Sequence, residues 1–122
     1  MSPSGSGEVF ATVAIEGGVA TGIVDPRHAA RLCEGHFPGD PLLPGSALVA
    51  LMADLGARLF SDTRHTAQPV ALPRCVFAVP VRPGGPITIV ARRLPDATGV
   101  EAEIRLPTGR AAYATIVFAA GG

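Results

Sequence analysis

Lysine and tryptophan are absent from this chain of 122 residues, and aromatic side chains make up only 5% of it. All ten basic residues are arginine, ten acidic residues balance them, and no basic run occurs. Nucleic-acid-binding domains usually carry a clustered basic surface, so this charge pattern argues against that class.

The chain also lacks long apolar runs and is poor in cysteine. No run approaches the ~20 apolar residues of a membrane span, and the first residues, MSPSGSGE, lack the regions of a signal peptide. We therefore expect a cytoplasmic protein without a membrane segment. Cys33 and Cys75 are too few and too far apart for a disulfide framework, and neither His28 nor His65 stands at metal-ligand spacing from them. Free thiols, with no metal and no cofactor, are predicted.

Hydrophobic residues make up 48% of the chain, which is enough for one packed core. Residues 1–7, rich in serine and glycine, are expected to form a flexible tail, and residues 8–122 a single domain. Runs of β-branched residues separated by turn signals predict strands over 8–15, 19–24, 70–81, 86–94, 99–106 and 110–118. The last four are expected to form an antiparallel meander.

One long helix is predicted from Ser46 to about Phe60, with Ser46 as its N-cap. Its apolar residues recur at helical spacing: Leu48, Leu51, Met52, Leu55 and Leu59. The opposite side is mostly alanine, which suggests a helix that is buried all round. Together these elements predict an α+β fold in which an antiparallel sheet wraps around one central helix.

The proline-rich loop GHFPGDPLLPG precedes this helix, and it resembles the signature of the β-hydroxyacyl-[acyl carrier protein] dehydratases, which have the hot dog fold. The matching residues are His36, Phe37, Pro38, Pro41, Pro44 and Gly45. A second family feature is matched by Phe77, Pro80, Pro83 and Gly84. The resemblance runs over roughly residues 8 to 119.

The resemblance implies syn elimination of water from a 3-hydroxyacyl thioester carried by acyl carrier protein or coenzyme A. His36 would be the base, since histidine titrates near neutrality. Backbone amides around Gly45 would stabilise the thioester oxyanion. Phe37 would form a wall of the pocket, and Pro44, Ser46 and Ala50 would also contact the substrate.

One element of the family pattern is missing, because Ala50 occupies the position where these dehydratases place a helix Glu or Asp. Asp54, one helical turn further on, is a candidate replacement. It could equally form a simple ion pair with Arg58. The family places active sites at a dimer interface, so a different hot dog subunit could instead supply the carboxylate.

Three functions therefore remain open. The first is a dehydratase of fatty acid or polyketide biosynthesis, working as a homodimer or as a heterodimer with an acid-bearing subunit. The second is a hot dog thioesterase that uses Asp54 to direct water, and the third is a non-catalytic acyl-binding subunit.

Asp40 is interpreted as a turn residue and Cys33 as a structural thiol. Four arginines could contact a phosphate or lie solvated on strands: Arg74, Arg82, Arg92 and Arg93.

Overall fold

The computed structural model describes residues 8–34, 39–60, 68–95 and 98–119. It contains six strands, two α-helices and one turn of 3₁₀-helix. The strands are β1 (Phe10–Glu16), β2 (Val19–Val24), β3 (Pro69–Phe77), β4 (Thr88–Arg93), β5 (Gly99–Leu106) and β6 (Gly109–Phe118). The α-helices are α1 (Pro26–Leu32) and α2 (Gly45–Ala57), and the 3₁₀ turn (Arg58–Phe60) follows α2 directly.

The strands form one antiparallel sheet in the order β1-β2-β4-β5-β6-β3. The predicted meander of the last four strands is therefore wrong for β3, which pairs with β6 at the edge of the sheet. Both sides of β4 are occupied, by β2 and β5. Residues 78–87 connect β3 to β4, which are separated in the sheet by β5 and β6. A tight hairpin turn joins only neighbouring strands, so a connection of this length is needed.

The first hairpin follows the EGG turn signal in the sequence. Gly17 and Gly18 link β1 to β2 with φ values of 62° and 79°. Positive φ at both central positions is typical of a type I′ turn, whose twist matches that of the flanking strands. Glycine is needed here because other residues rarely adopt this conformation.

Helix α2 packs its apolar side on the concave face of the sheet. Its buried residues are Ala47, Leu48, Leu51, Met52, Leu55 and Gly56. Met52 and Leu55 are fully buried, as are Ile89 and Ile104 on the strands that α2 crosses. Each such side chain contributes roughly 1.5–3 kcal/mol through burial, so this layer holds the helix against the sheet.

The start of α2 differs from the prediction by one residue. Pro44 is the N-cap, with extended backbone angles, and its carbonyl accepts hydrogen bonds from the amides of Ala47 and Leu48 at 2.9 and 3.1 Å. Ser46 is the second helical residue, so its predicted role as N-cap is wrong, and Pro44 makes no side-chain capping hydrogen bond. A proline disfavours helical backbone angles at the residue before it, so the helix cannot readily extend back past Pro44.

The opposite face of α2 is open in the single chain. Ser46 and Ala50 are exposed, and Ala53, Asp54 and Ala57 are half-buried. The expectation of a helix buried all round is thus wrong for one chain, because the sheet covers only one side. In the part of the chain that the structure describes, no helix has the length and apolarity needed to cross a bilayer.

Candidate active site

His36 and Phe37, the expected base and pocket wall, lie outside the described residues, as does the flexible tail expected over residues 1–7. The described part of the candidate site consists of residues 39–44, the first two turns of α2 and residues 77–82. It contains the other expected substrate contacts, namely Pro44, Gly45, Ser46 and Ala50, within one stretch of chain.

The first backbone amides of α2 point outward from the N-terminal end of the helix. Gly45 and Ser46 are its first two residues, and amides at these positions have no acceptor within the helix. The macrodipole adds partial positive charge at the same end. Together these groups can stabilise an anionic oxygen, which is the role that the family resemblance implies for this position.

Gly45 lies directly against the ring of Phe77. A Cβ atom at position 45 would come within 3.2 Å of Cε2 and Cζ of that ring, which is closer than ordinary packing distance. Glycine is thus needed here for close approach, since its backbone φ is not in the left-handed region. This contact places the partly exposed ring of Phe77 beside the first amides of α2.

An apolar groove of about 340 Å³ adjoins the start of α2. Its apolar lining includes Leu42, Leu43, Leu48, Phe77, Val79 and Val81. Phe77 and Val79 are 50% and 44% exposed, so part of the lining is open to water in the single chain. The size and apolar character of the groove suit a small acyl group.

Residues 39–44 are attached to the connection between β3 and β4 at two points. The amide of Leu43 donates a hydrogen bond to the carbonyl of Val81 at 2.9 Å, and both side chains are buried. Arg82 Nε lies 3.1 Å from Oδ1 of Asp40, with Nη2 3.5 Å from Oδ2. Asp40 is therefore an ion-pair partner, a role that its interpretation as a turn residue did not include.

Asp54 forms the helix ion pair that the sequence left open. Arg58 Nε donates to its Oδ1 at 3.3 Å, and both side chains are more than a third exposed. This pair does not decide whether Asp54 takes part in chemistry, but it ties the carboxylate to a cation on the outside of the helix. Ala50 lies one turn earlier on the same open face and brings no polar group.

The cysteines lie in positions that favour a structural role. Cys33 is buried and Cys75 half-buried, and neither forms a disulfide. Burial raises the pKa of both thiols above the ordinary value. A raised pKa leaves less thiolate at neutral pH, so neither group is activated as a nucleophile.

The four arginines considered as phosphate contacts do not form one cluster. Arg82 pairs with Asp40, and Arg93 stacks on the ring of Phe60 at 4.4 Å. Arg74 and Arg92 line a shallow groove on the outer face of the sheet, where Arg74 and Arg110 both contact the ring of Tyr113. The pairing of Arg82 with Asp40 had no sequence signal.

Six antiparallel strands wrapped around one long helix, with a Pro-Gly pair opening that helix, define a hot dog fold protein. Residues 16–113 match the ApeI-like family, described as ApeI dehydratase. The chain belongs to this ApeI-like dehydratase family, which confirms both the predicted fold and the dehydratase resemblance. No curated protein matches the chain.

Solved structures share this fold at low sequence identity. The dehydratase heterocomplex ApeI:P of Xenorhabdus doucetiae has a chain with a TM-score of 0.75 and 18% identity, covering 92% of this chain and 97% of that one. Smu.793 of Streptococcus mutans UA159, bound to acetyl CoA, has a TM-score of 0.76 and 16% identity, covering 100% and 96%. A phenylacetic acid degradation-related protein of Ralstonia eutropha JMP134, classed as a candidate thioesterase, has a TM-score of 0.66 and 18% identity, covering 88% and 82%.

Proposed function

We propose that this chain is a subunit of a dehydratase that removes water from 3-hydroxyacyl thioesters. The observation that carries the proposal is the start of α2, where uncapped amides at Gly45 and Ser46 adjoin an apolar groove. Membership of the ApeI-like dehydratase family supports the same reaction class. Acyl carrier protein and coenzyme A are both possible carriers of the thioester.

In the proposed reaction, His36 accepts the C2 proton of the substrate. Negative charge moves onto the thioester oxygen, where the amides of Gly45 and Ser46 stabilise it. A protonated carboxylic acid then donates its proton to the departing hydroxyl group, which leaves as water. The electron pair of the C2–H bond becomes the new double bond between C2 and C3, so the product is an enoyl thioester.

We infer that the proton donor comes from a partner subunit. Ala50 brings no acid to the open face of α2, and Asp54 lies one helical turn beyond the position at which the family places its acid. The similarity to a chain of a complex described as a dehydratase heterocomplex supports a two-chain enzyme. Such a partner would carry the helix Glu or Asp that is missing here.

The surface available to that partner is the open face of α2 together with the outer edge of β3. This strand ends the sheet, and its residues Val70 and Leu72 are 62% and 42% exposed. An unpaired strand edge with apolar side chains is a template for pairing with another chain. Pairing there would also cover Val49 and Ala53, which line a groove beside β3.

The experiment measures water loss from 3-hydroxyacyl thioesters of both carriers, using the chain alone and mixed with hot dog proteins encoded beside it. We expect an enoyl product only in a mixture, and a decrease of about 10²–10⁴-fold in kcat when His36→Asn replaces the base. Full activity of the chain alone would reject the partner and assign the acid role to Asp54. Unchanged activity of the complex with His36→Asn would make this chain a non-catalytic acyl-binding subunit.

A thioesterase is the second candidate, favoured by the half-exposed carboxylate of Asp54 on the open face of α2. In that reaction the carboxylate would direct water at the thioester carbonyl. Product analysis separates the two functions, because hydrolysis releases a free thiol and dehydration retains the thioester. Asp54→Asn would abolish hydrolysis and leave dehydration by the complex intact.

A further inference from the structure

Asp40 and Arg82 form an ion pair between two segments that are 42 residues apart in the sequence. The carboxylate accepts hydrogen bonds from Nε at 3.1 Å and, less closely, from Nη2 at 3.5 Å. Both side chains are more than half exposed. Exposed pairs of this kind contribute little to stability, so a role in stabilising the fold is a poor explanation for the arrangement.

The pair lies at one end of a stiff segment that leads into α2. Pro41 and Pro44 fix two of its φ angles, and Gly39, directly before Asp40, has a φ of 88° that favours glycine. The other attachment of the segment is the hydrogen bond from Leu43 to Val81. One attachment fixes a point of a stiff segment, whereas two fix its direction.

The segment leads directly into the first residue of α2. The N-cap of this helix, Pro44, makes no side-chain hydrogen bond, and its first residue, Gly45, contacts Phe77, the last residue of β3, directly before the connection that carries Val81 and Arg82. Three contacts thus follow one another along two adjacent segments. Residue 40 meets residue 82, residue 43 meets residue 81, and residue 45 meets residue 77. The ion pair is the outermost of the three contacts and the one formed by charged side chains.

We propose that Asp40 and Arg82 are positioning residues for the amides of Gly45 and Ser46. The pair holds the entrance of α2 in register with the groove beside Phe77, so the amides point at the bound thioester oxygen. The catalytic part of this inference rests on the proposed dehydratase function, and the positional part does not. Loss of either charge frees the outer end of the segment while Leu43 and Val81 stay attached.

The test compares Asp40→Asn, Arg82→Gln and the double variant in the active complex. Misplacement of a catalytic group by about 1 Å can cost up to 10²-fold, so we expect each single variant to lower kcat about tenfold and to leave KM within about twofold. The double variant should lose no more than either single variant, because the two residues act as one unit. Losses that multiply in the double variant would overturn the proposal, as would unchanged kcat in the single variants.

Arg110→Gln is the matched control, since this arginine also pairs with a carboxylate, Glu103, but on the outer face of the sheet. It should leave kcat unchanged. An increase in KM confined to Arg82→Gln would assign that arginine to substrate contact and overturn the positioning role. A fall in Tm of more than about 5 °C in the single variants would show a structural role and also overturn it.

A second measurement does not depend on turnover. In ¹H–¹⁵N spectra of the labelled chain, the amide signals of Gly45 and Ser46 should shift in Asp40→Asn and Arg82→Gln and stay in place in Arg110→Gln. Unshifted amides would overturn the proposal even if activity fell. Shifted amides, together with no water loss from 3-hydroxyacyl thioesters by the chain alone or in any mixture, would reject the proposed function and leave the positioning inference standing.

Discussion

Gly45 and Phe77 are packed so closely that a methyl group on the first residue of α2 would require the ring or the helix start to shift by a few tenths of an ångström. A Cβ at position 45 would lie 3.2 Å from two ring atoms of Phe77. The ring is half exposed, so burial at this contact adds little to stability. The contact therefore constrains the position of the helix start more than it contributes to stability.

Gly45→Ala is expected to lower kcat about tenfold with a small effect on Tm, because the added methyl displaces the amides from the substrate oxygen. Phe77→Leu in the same chain should recover most of that loss by making room for the methyl group. The measurement is steady-state kinetics of the complex together with thermal unfolding. Gly85→Ala is the control, since a Cβ at that position meets no atom within 4 Å.

Restoring the acid at position 50 tests the two-subunit enzyme directly. Ala50 is exposed on the open face of α2, so a Glu side chain at this position would extend from the surface of the helix. If the family's interface geometry holds, Ala50→Glu should give the chain on its own a dehydratase activity at least tenfold above the unsubstituted chain on its own. Ala50→Gln is the matched control without a proton to donate, and equal activity of both variants would contradict the prediction.

Much of the fold could be predicted from the sequence because its signals are local. The strand over 99–106 has the predicted bounds, since turn residues bracket it on both sides. The order of the strands could not be predicted, because the partner of β3 is chosen by tertiary packing. This strand is exposed over most of its length, so its pattern of side chains carries little information on pairing.

The candidate site also has a part that could be predicted from the sequence and a part that could not. The Pro-Gly pair and the apolar helix are contiguous in the sequence, so the start of α2 could be located to within one residue. The ion pair between Asp40 and Arg82 could not, because nothing in the sequence indicates which of ten arginines meets which of ten acids. Neither could the contact between Gly45 and Phe77, which depends on how the β3–β4 connection runs past the helix.

The outer edge of β3 should be required for association. Charge on an edge strand opposes pairing with a second strand, so the double substitution Val70→Lys and Leu72→Lys should weaken self-association or assembly with the partner at least tenfold, by roughly 1.4 kcal/mol. Analytical ultracentrifugation of the chain alone and with the partner measures this. Ile15→Lys is the control, because Ile15 is 51% exposed on β1 at the opposite edge of the sheet.

The N-cap of α1 gives the fold a dependence on acidic pH. Asp25 accepts a hydrogen bond from the amide of Arg27 at 2.8 Å, and this bond lowers the pKa of its carboxyl below the ordinary value of 3.8. Because the pKa in the folded state is depressed, the stabilisation is present above the pKa of the unfolded state and is lost as the pH falls through the pKa of the folded state.

Asp25→Asn keeps a capping acceptor but removes the charge. Its Tm should be about 2 °C lower than that of the unsubstituted chain at pH 7, and the gap should close as the pH falls through the depressed pKa of Asp25 and the aspartate is protonated. Thermal unfolding from pH 7 to pH 2 measures the gap, and a difference that stays constant over this range would contradict the assignment of the charge to the cap.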